Sequence, residues 1–272
     1  MPELATRIIV GLIVFSIFLA LIFLGKEIGF LVMFSFALLV GLNEFYNLID
    51  MGGFKPQRLT GYLLGITLFL GNGMMTFFDY PQKFLLFPLL CLFLILPIEL
   101  YRKREHPFTN IAHGFLGIIY VAVPVTLLIN IIHPNDEIGY NPLFFVGWLM
   151  LILGSDSGAY LAGTAFGKHK LFERISPKKS WEGAIGGLLM SIAFAVGFSY
   201  FLDFLTVWEW IGLSVVSVVA GIYGDLVESL LKRNVGAKDS GTLLPGHGGV
   251  LDRLDSIGLA APFAFVYLKI FL

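Results

Sequence analysis

Four side chains in the C-terminal third of the chain stand at a spacing that brings chemistry to one surface. Asp225, Ser229, Lys232 and Arg233 fall at i, i+4, i+7 and i+8, one face of a helix. They offer a carboxylate, a hydroxyl, an ammonium and a guanidinium. A loop dense in polar residues follows, with Lys238 and Asp239, then Pro-Gly-His-Gly-Gly (Pro245–Gly249), then Asp252, Arg253 and Asp255. Glycines let a backbone approach a ligand closely and aim successive N–H groups at an anion. Gly246, Gly248 and Gly249 around His247 are therefore a candidate anion cradle. Carboxylates beside cations suit a polyphosphate with a divalent metal. Magnesium is held by one or two carboxylates plus phosphate oxygens, and lysine and arginine take the remaining phosphate charge. Plainer roles exist: His247 as a turn-stabilising hydrogen-bonder, Asp252 or Asp255 as a helix cap. One helix needs one cap, however, not two aspartates with an arginine between them. Neither G-x-x-x-x-G-K-[ST] nor G-x-G-x-x-G occurs, so the common soluble nucleotide motifs are absent.

A second charged segment lies at 168–182. Lys178 and Lys179 are candidate phosphate contacts, with snorkelling toward anionic lipid as the plain alternative. Ser176–Pro177 suggests the start of a short helix with proline at its first position. Ser180 and Glu182 suit the cap and the first turn of the next long helix. Gly163-x-x-x-Gly167 and Gly183-x-x-x-Gly187 predict close helix packing. Three acids interrupt apolar runs: Glu44, Asp156 and Asp225. An ionisable group in a span costs roughly 2.5–3.5 kcal/mol on insertion scales, so each is a functional candidate.

These residues are set in a chain of 272 residues with only 14% charged residues and a mean hydropathy of +0.85. Soluble domains average about 25% charged residues. Nine apolar runs, about 8–25, 28–48, 59–78, 84–100, 114–132, 142–167, 183–203, 210–232 and 255–271, are long enough for spans. The fourth is interrupted by Pro88 and Pro97, and the ninth contains Pro262. The first run is longer than a signal-peptide core and has no A-x-A-like site after it, so a retained span is expected. With nine spans, one face carries all but Lys26, Lys83 and Lys269 of the 18 basic residues. The positive-inside rule then predicts a cytoplasmic N-terminus and an external C-terminus. The expected fold is an all-α polytopic membrane protein. Residues 1–140 would form about five N-terminal helices. Residues 141–272 would form a catalytic region with cytoplasmic segments at 168–182 and 232–255. The lone cysteine, Cys91, rules out an internal disulfide framework.

The stretch Ser229–Ser256, "SLLKRNVGAKDSGTLLPGHGGVLDRLDS", resembles the signature of the phosphatidate cytidylyltransferase (CDP-diacylglycerol synthase) family. Ser, Lys-Arg, Lys-Asp, Pro-Gly-His-Gly-Gly and Asp-Arg-x-Asp all stand at the family's spacings. "SPKKSWEG" (Ser176–Gly183) is similar to a second family segment. The tight resemblance covers about 154–260; the first 140 residues share only the multi-span character. The resemblance implies that CTP and phosphatidic acid give CDP-diacylglycerol and pyrophosphate, with magnesium required. It implies a polytopic, homodimeric membrane enzyme with no nucleic-acid partner; the basic-residue asymmetry places its charged segments, and with them the site, on the cytoplasmic face of the cytoplasmic (inner) membrane. It carries metal ligation onto Asp225 and Asp252, and phosphate contact onto Lys232, Arg233, Lys238 and His247. Asp239 and Arg253 complete the candidate catalytic set. Lys178, Lys179, Ser229, Gly246, Gly248, Gly249, Asp255, Asp156 and Glu44 are candidate substrate contacts. A second metal ion or a monovalent cation fits the same chemistry. The competing enzyme reading is a CTP-dependent kinase of a polyprenol-type lipid alcohol, which would also need a general base. A transporter would be expected to show inverted repeats, and none is visible.

Overall fold

The computed structural model describes residues 2–243 and 248–272, with side chains from residue 9 onward. Gly246 and His247 lie outside the described residues. Among the described residues the chain forms nine helices: α1 (Pro2–Phe23), α2 (Lys26–Met51), α3 (Arg58–Phe78), α4 (Leu86–Arg102), α5 (Pro107–Ile132), α6 (Pro142–Phe166), α7 (Trp181–Phe201), α8 (Val207–Asn234) and α9 (Leu251–Phe271). Eight of the nine are long and apolar enough to cross a membrane, α4 together with the 3-10 turn Gln82–Leu85 before it. The described apolar part of α1, Ile9–Phe23, is shorter. Large apolar side chains such as Ile28, Phe36, Leu100 and Phe201 are exposed, the reverse of a water-soluble surface. The architecture is that of an all-α polytopic membrane protein.

Local chemistry sets the helix ends. Pro107 and Pro142 occupy first-turn positions, where no N–H is needed. Asn141 caps α6 by accepting the Phe144 N–H at 2.9 Å. Ser180 caps α7 by accepting the Gly183 N–H at 3.1 Å, with Glu182 in the first turn, as the sequence predicts. The prolines of the fourth run do not break it: Pro88 falls in the first turn of α4, and only Pro97 lies deeper in the helix. In α5 a π-helical turn, Ile118–Ala122, precedes Pro124. The wider turn accommodates a residue that has no N–H and whose ring crowds the carbonyl four residues back.

The expected short helix at Ser176–Pro177 is replaced by a hairpin. Lys170–Phe172 (β1) pairs antiparallel with Ser176–Ser180 (β2), Lys170 opposite Ser180 and Phe172 opposite Ser176. Pro177 is tolerated because an edge strand need not donate at every residue. Capping of α7 at Ser180 leaves too few residues before it for a helical turn of their own.

By packing, the chain divides into two compact units. One is Met1–Ile129 with Asn234–Leu254; the other is Asn130–Arg233 with Asp255–Leu272. The first has its core on α2, where Phe30, Leu38, Leu42, Phe45 and Tyr46 are buried. The second is centred on Phe144, Phe145, Trp148 and Trp210. There α6 and α7 pack closely on small residues. A Cβ on Gly187 would lie 2.6 Å from the Ser155 carbonyl oxygen, and one on Gly158 would lie 2.8 Å from that of Gly186. The predicted role of Gly183 and Gly187 in close packing holds. Buried hydroxyls also tie helices, through Trp148 Nε1 to Ser217 Oγ at 2.9 Å and Ser191 Oγ to Ser214 Oγ at 2.8 Å.

Candidate active site

In the second unit, α6, β2, the start of α7, α8 and Ser256 of α9 enclose a cavity of about 350 Å3. Asp156, Lys178, Lys179 and Asp225 line it. Space exists because Gly163, Gly183, Gly187 and Gly221 carry no side chain there. Lys179 makes an ion pair with Asp225. Ser229 Oγ donates to Asp225 Oδ1 at 3.3 Å, one turn along α8. The polar stripe read from the sequence therefore forms at Asp225 and Ser229. Its cation at Asp225 comes from β2, 46 residues earlier in the chain. The helix crossing is fixed by Gly221 and Gly224, whose missing side chains admit the backbone of Ser256 and Asp255. Asp255 accepts the N–H of Ser256 at 2.6 Å.

Lys232, two turns beyond Asp225 on the same continuous helix, also has a partner of its own. Its ammonium ion-pairs with Glu228 Oε1 at 2.9 Å, four residues back on α8. Glu228 is fully buried. Glu228 belongs to none of the motifs above; its i, i+4 spacing to Lys232 is the signal in the sequence that points to it. Arg233, Lys238, Asp239 and Arg253 are exposed. Beside the hairpin, His169 Nδ1 lies 2.6 Å from Glu182 Oε1, so the first-turn acid of α7 also holds the segment before β1.

In the first unit, two carboxylates hold the described residues on either side of 244–247 in the loop after α8. Asp252 accepts the N–H of Gly249 at 2.8 Å and that of Ser240 at 3.0 Å. Glu44, on α2, accepts from Val250 N at 3.1 Å, Leu251 N at 2.7 Å and Ser240 Oγ at 3.2 Å. The glycines make room for these acids. Gly248 has φ +82°, where a side chain is strained, and a Cβ there would lie 2.6 Å from Asp252 Oδ2. A Cβ on Gly249 would lie 2.5 Å from Glu44 Oε2. The glycine spacing predicts N–H groups aimed at an anion. The Gly249 N–H is aimed at one, and that anion is the chain's own Asp252.

Both aspartates read as metal ligands offer carboxylate oxygens, hard donors of the kind magnesium takes. In this structure those oxygens are engaged by the chain itself, Asp225 by Lys179 and Ser229 and Asp252 by the N–H groups of Ser240 and Gly249. Among the described residues no cluster of three or more His, Cys, Asp or Glu side chains forms a ready-made cage.

The family model of the cytidylyltransferase family matches residues 5–271. A phosphatidate cytidylyltransferase of Haemophilus influenzae is 35% identical over 231 residues, covering 83% of this chain and 74% of its own length. One of Staphylococcus aureus (strain COL) is 32% identical over 267 residues, 96% of this chain and 98% of the relative. One of Bacillus subtilis (strain 168) is 32% identical over 278 aligned positions, the full length of both.

Proposed function

Because the chain belongs to the cytidylyltransferase family, a family of nucleotidyltransferase enzymes, we propose that it makes CDP-diacylglycerol from CTP and phosphatidic acid. The observation that carries this reading is the match to phosphatidate cytidylyltransferases over the whole chain. The cavity holding Asp225, Lys178 and Lys179 supports it. No observation favours the lipid-alcohol kinase.

In the proposed reaction a phosphate oxygen of phosphatidate attacks the α-phosphorus of CTP. The bond from that phosphorus to the bridging oxygen breaks, and pyrophosphate leaves. The attacking monoester is largely dianionic at neutral pH, its second pKa being about 6. No proton has to be removed, so no general base is needed. The obstacle is repulsion between anions, and the chain answers it by positioning and charge. Lys178 and Lys179 line the cavity where a phosphate would enter. Lys232, Arg233 and Lys238 neutralise the leaving pyrophosphate in this reading. Asp225 and Asp252 are each proposed as magnesium ligands, Asp225 beside the Ser229 hydroxyl and Asp252 fixed by two N–H groups. When bound, magnesium draws charge from the phosphates of CTP. The site is proposed to face the cytoplasm in the inner membrane, where a soluble nucleotide meets a lipid, and the enzyme to act as a homodimer.

The test is transfer by the purified full chain with magnesium, phosphatidic acid and CTP labelled on the α-phosphate. Label should enter the lipid phase and be lost with EDTA or in Asp252→Ala. Label that stays in water with well-folded protein would overturn the reading. Label entering lipid only from γ-labelled CTP with a lipid alcohol would establish the kinase.

A further inference from the structure

We propose that Glu44 is a positioning residue: it caps the N-terminus of α9 from a different helix and, through Ser240, fixes the orientation of Asp252. This rests on the reading above only where it treats Asp252 as a metal ligand.

Glu44 is a carboxylate with 5% of its surface exposed, inside an apolar helix. It lies seven residues before the end of α2 at Met51, roughly 10 Å along the axis at 1.5 Å per residue. Described residues of the loop lie against the last two turns of α2. Val235 lies against Gly52, just past the end of α2. Ser240, Val250 and Leu251 meet Glu44, and Leu254 lies near Gly41 one turn deeper. Loop backbone below a membrane surface is tolerated only where its polar groups are satisfied by protein. A helix start adds a burden, because its first N–H groups have no partner within the helix. Val250 stands immediately before α9 and has no side-chain acceptor with which to cap it. Glu44 supplies that acceptor, taking the N–H groups of both Val250 and Leu251. The next N–H, of Asp252, goes to Ser240 Oγ at 3.3 Å, and that hydroxyl in turn donates to Glu44 Oε2. A negative charge at a helix N-terminus is also the favourable sign.

The same hydroxyl links Glu44 to the proposed metal ligand. Ser240 receives the Asp252 N–H, gives its own N–H to the Asp252 carboxylate, and is itself anchored by Glu44. Both oxygens of Glu44 are engaged by the loop, which leaves it the role of holding rather than of touching substrate. Glutamine in its place keeps one acceptor oxygen but turns an NH2 donor toward backbone donors. It therefore cannot serve Val250, Leu251 and Ser240 together.

The experiment compares wild type, Glu44→Gln and Glu44→Asp as full chains in detergent. Hydrogen exchange of the peptide spanning 248–254 reads the cap without reference to any activity. Glu44→Gln should exchange there at least tenfold faster, and an unchanged rate would overturn the cap. Manganese binding, followed by electron paramagnetic resonance without substrate, reads Asp252. Glu44→Gln should weaken it at least fivefold, with partial recovery in Glu44→Asp. Transfer should show the matching rise in magnesium requirement, with the KM for phosphatidate within twofold of wild type. A double mutant with Asp252→Asn should be no worse than Asp252→Asn alone. Effects that multiply, a loosened loop with unchanged manganese binding, or a change confined to the KM for phosphatidate would each overturn the positioning role. If Glu44→Gln does not fold, Ser240→Ala, which removes only the linking hydroxyl, carries the same expectation for manganese binding. Absence of cytidylyl transfer in wild type would instead overturn the proposed reaction, and hydrogen exchange would still decide the cap.

Discussion

Asp225 is a half-buried acid with two close partners, Lys179 and Ser229. A carboxylate in this setting is expensive to place in a span, and its partners offset the cost. Asp225→Asn keeps the shape and removes the charge. We expect transfer to fall roughly 100-fold or more, the scale for losing one preorganised charged group, with the thermal midpoint little changed. Retained activity in a folded Asn variant would remove Asp225 from the mechanism. Lys179 works from the other side of the same ion pair. Lys179→Met should lower kcat/KM for CTP, and loss of the variant from the membrane fraction would assign Lys179 to folding instead.

At the scale of elements, the pairing of α6 with α7 builds the cavity, and glycine positions decide how close the two helices come. Gly187→Ala places a Cβ 2.6 Å from a backbone oxygen. It should destabilise the protein by roughly 1–3 kcal/mol, the usual cost of overpacking. Gly163→Ala meets only ordinary contacts, Ser180 Oγ at 3.5 Å and Gly183 Cα at 3.6 Å. There the better helix propensity of alanine, up to about 1 kcal/mol, should leave stability equal or higher. Thermal unfolding in one detergent compares the two directly. Equal losses at both positions would mean that the α6–α7 distance is not set by Gly187. Ser180→Ala removes the cap of α7 and should cost about 1 kcal/mol.

At the scale of the whole molecule, the division into units shows what the charged loop belongs to. Asn234–Leu254 packs with the N-terminal helices, although it lies within the region expected from the sequence to be C-terminal and catalytic. The first 140 residues are thus more than an anchor, since α2 supplies the acid that holds the loop. Orientation is a prediction at this scale. In a Cys91→Ala background, cysteines at the exposed positions Lys103, Glu173 and Thr242 should react with an impermeant maleimide only from the cytoplasmic side. A cysteine at Lys83 should react only from the outside. Mixed labelling would break the nine-span topology.

The helices, and the kinds of side chain gathered at the site, are legible in the order of the amino acids alone. Run length and hydropathy are local properties, so each of the nine apolar runs falls on one of the helices found among the described residues, and Ser180 is readable as a cap from its neighbours alone. Spacing along one helix likewise placed Ser229 on Asp225. The partners of these side chains come from packing between elements far apart in the chain. Lys179 reaches Asp225 from a hairpin, where the Ser-Pro pair at 176–177 predicts a helix start. Glu44 meets backbone and a hydroxyl 196 to 207 residues further along the chain, and Lys232 pairs with the buried Glu228. A buried charge must find its counterpart wherever helix packing delivers one. That packing depends on where two distant glycines let backbones touch, which no window along a single chain contains.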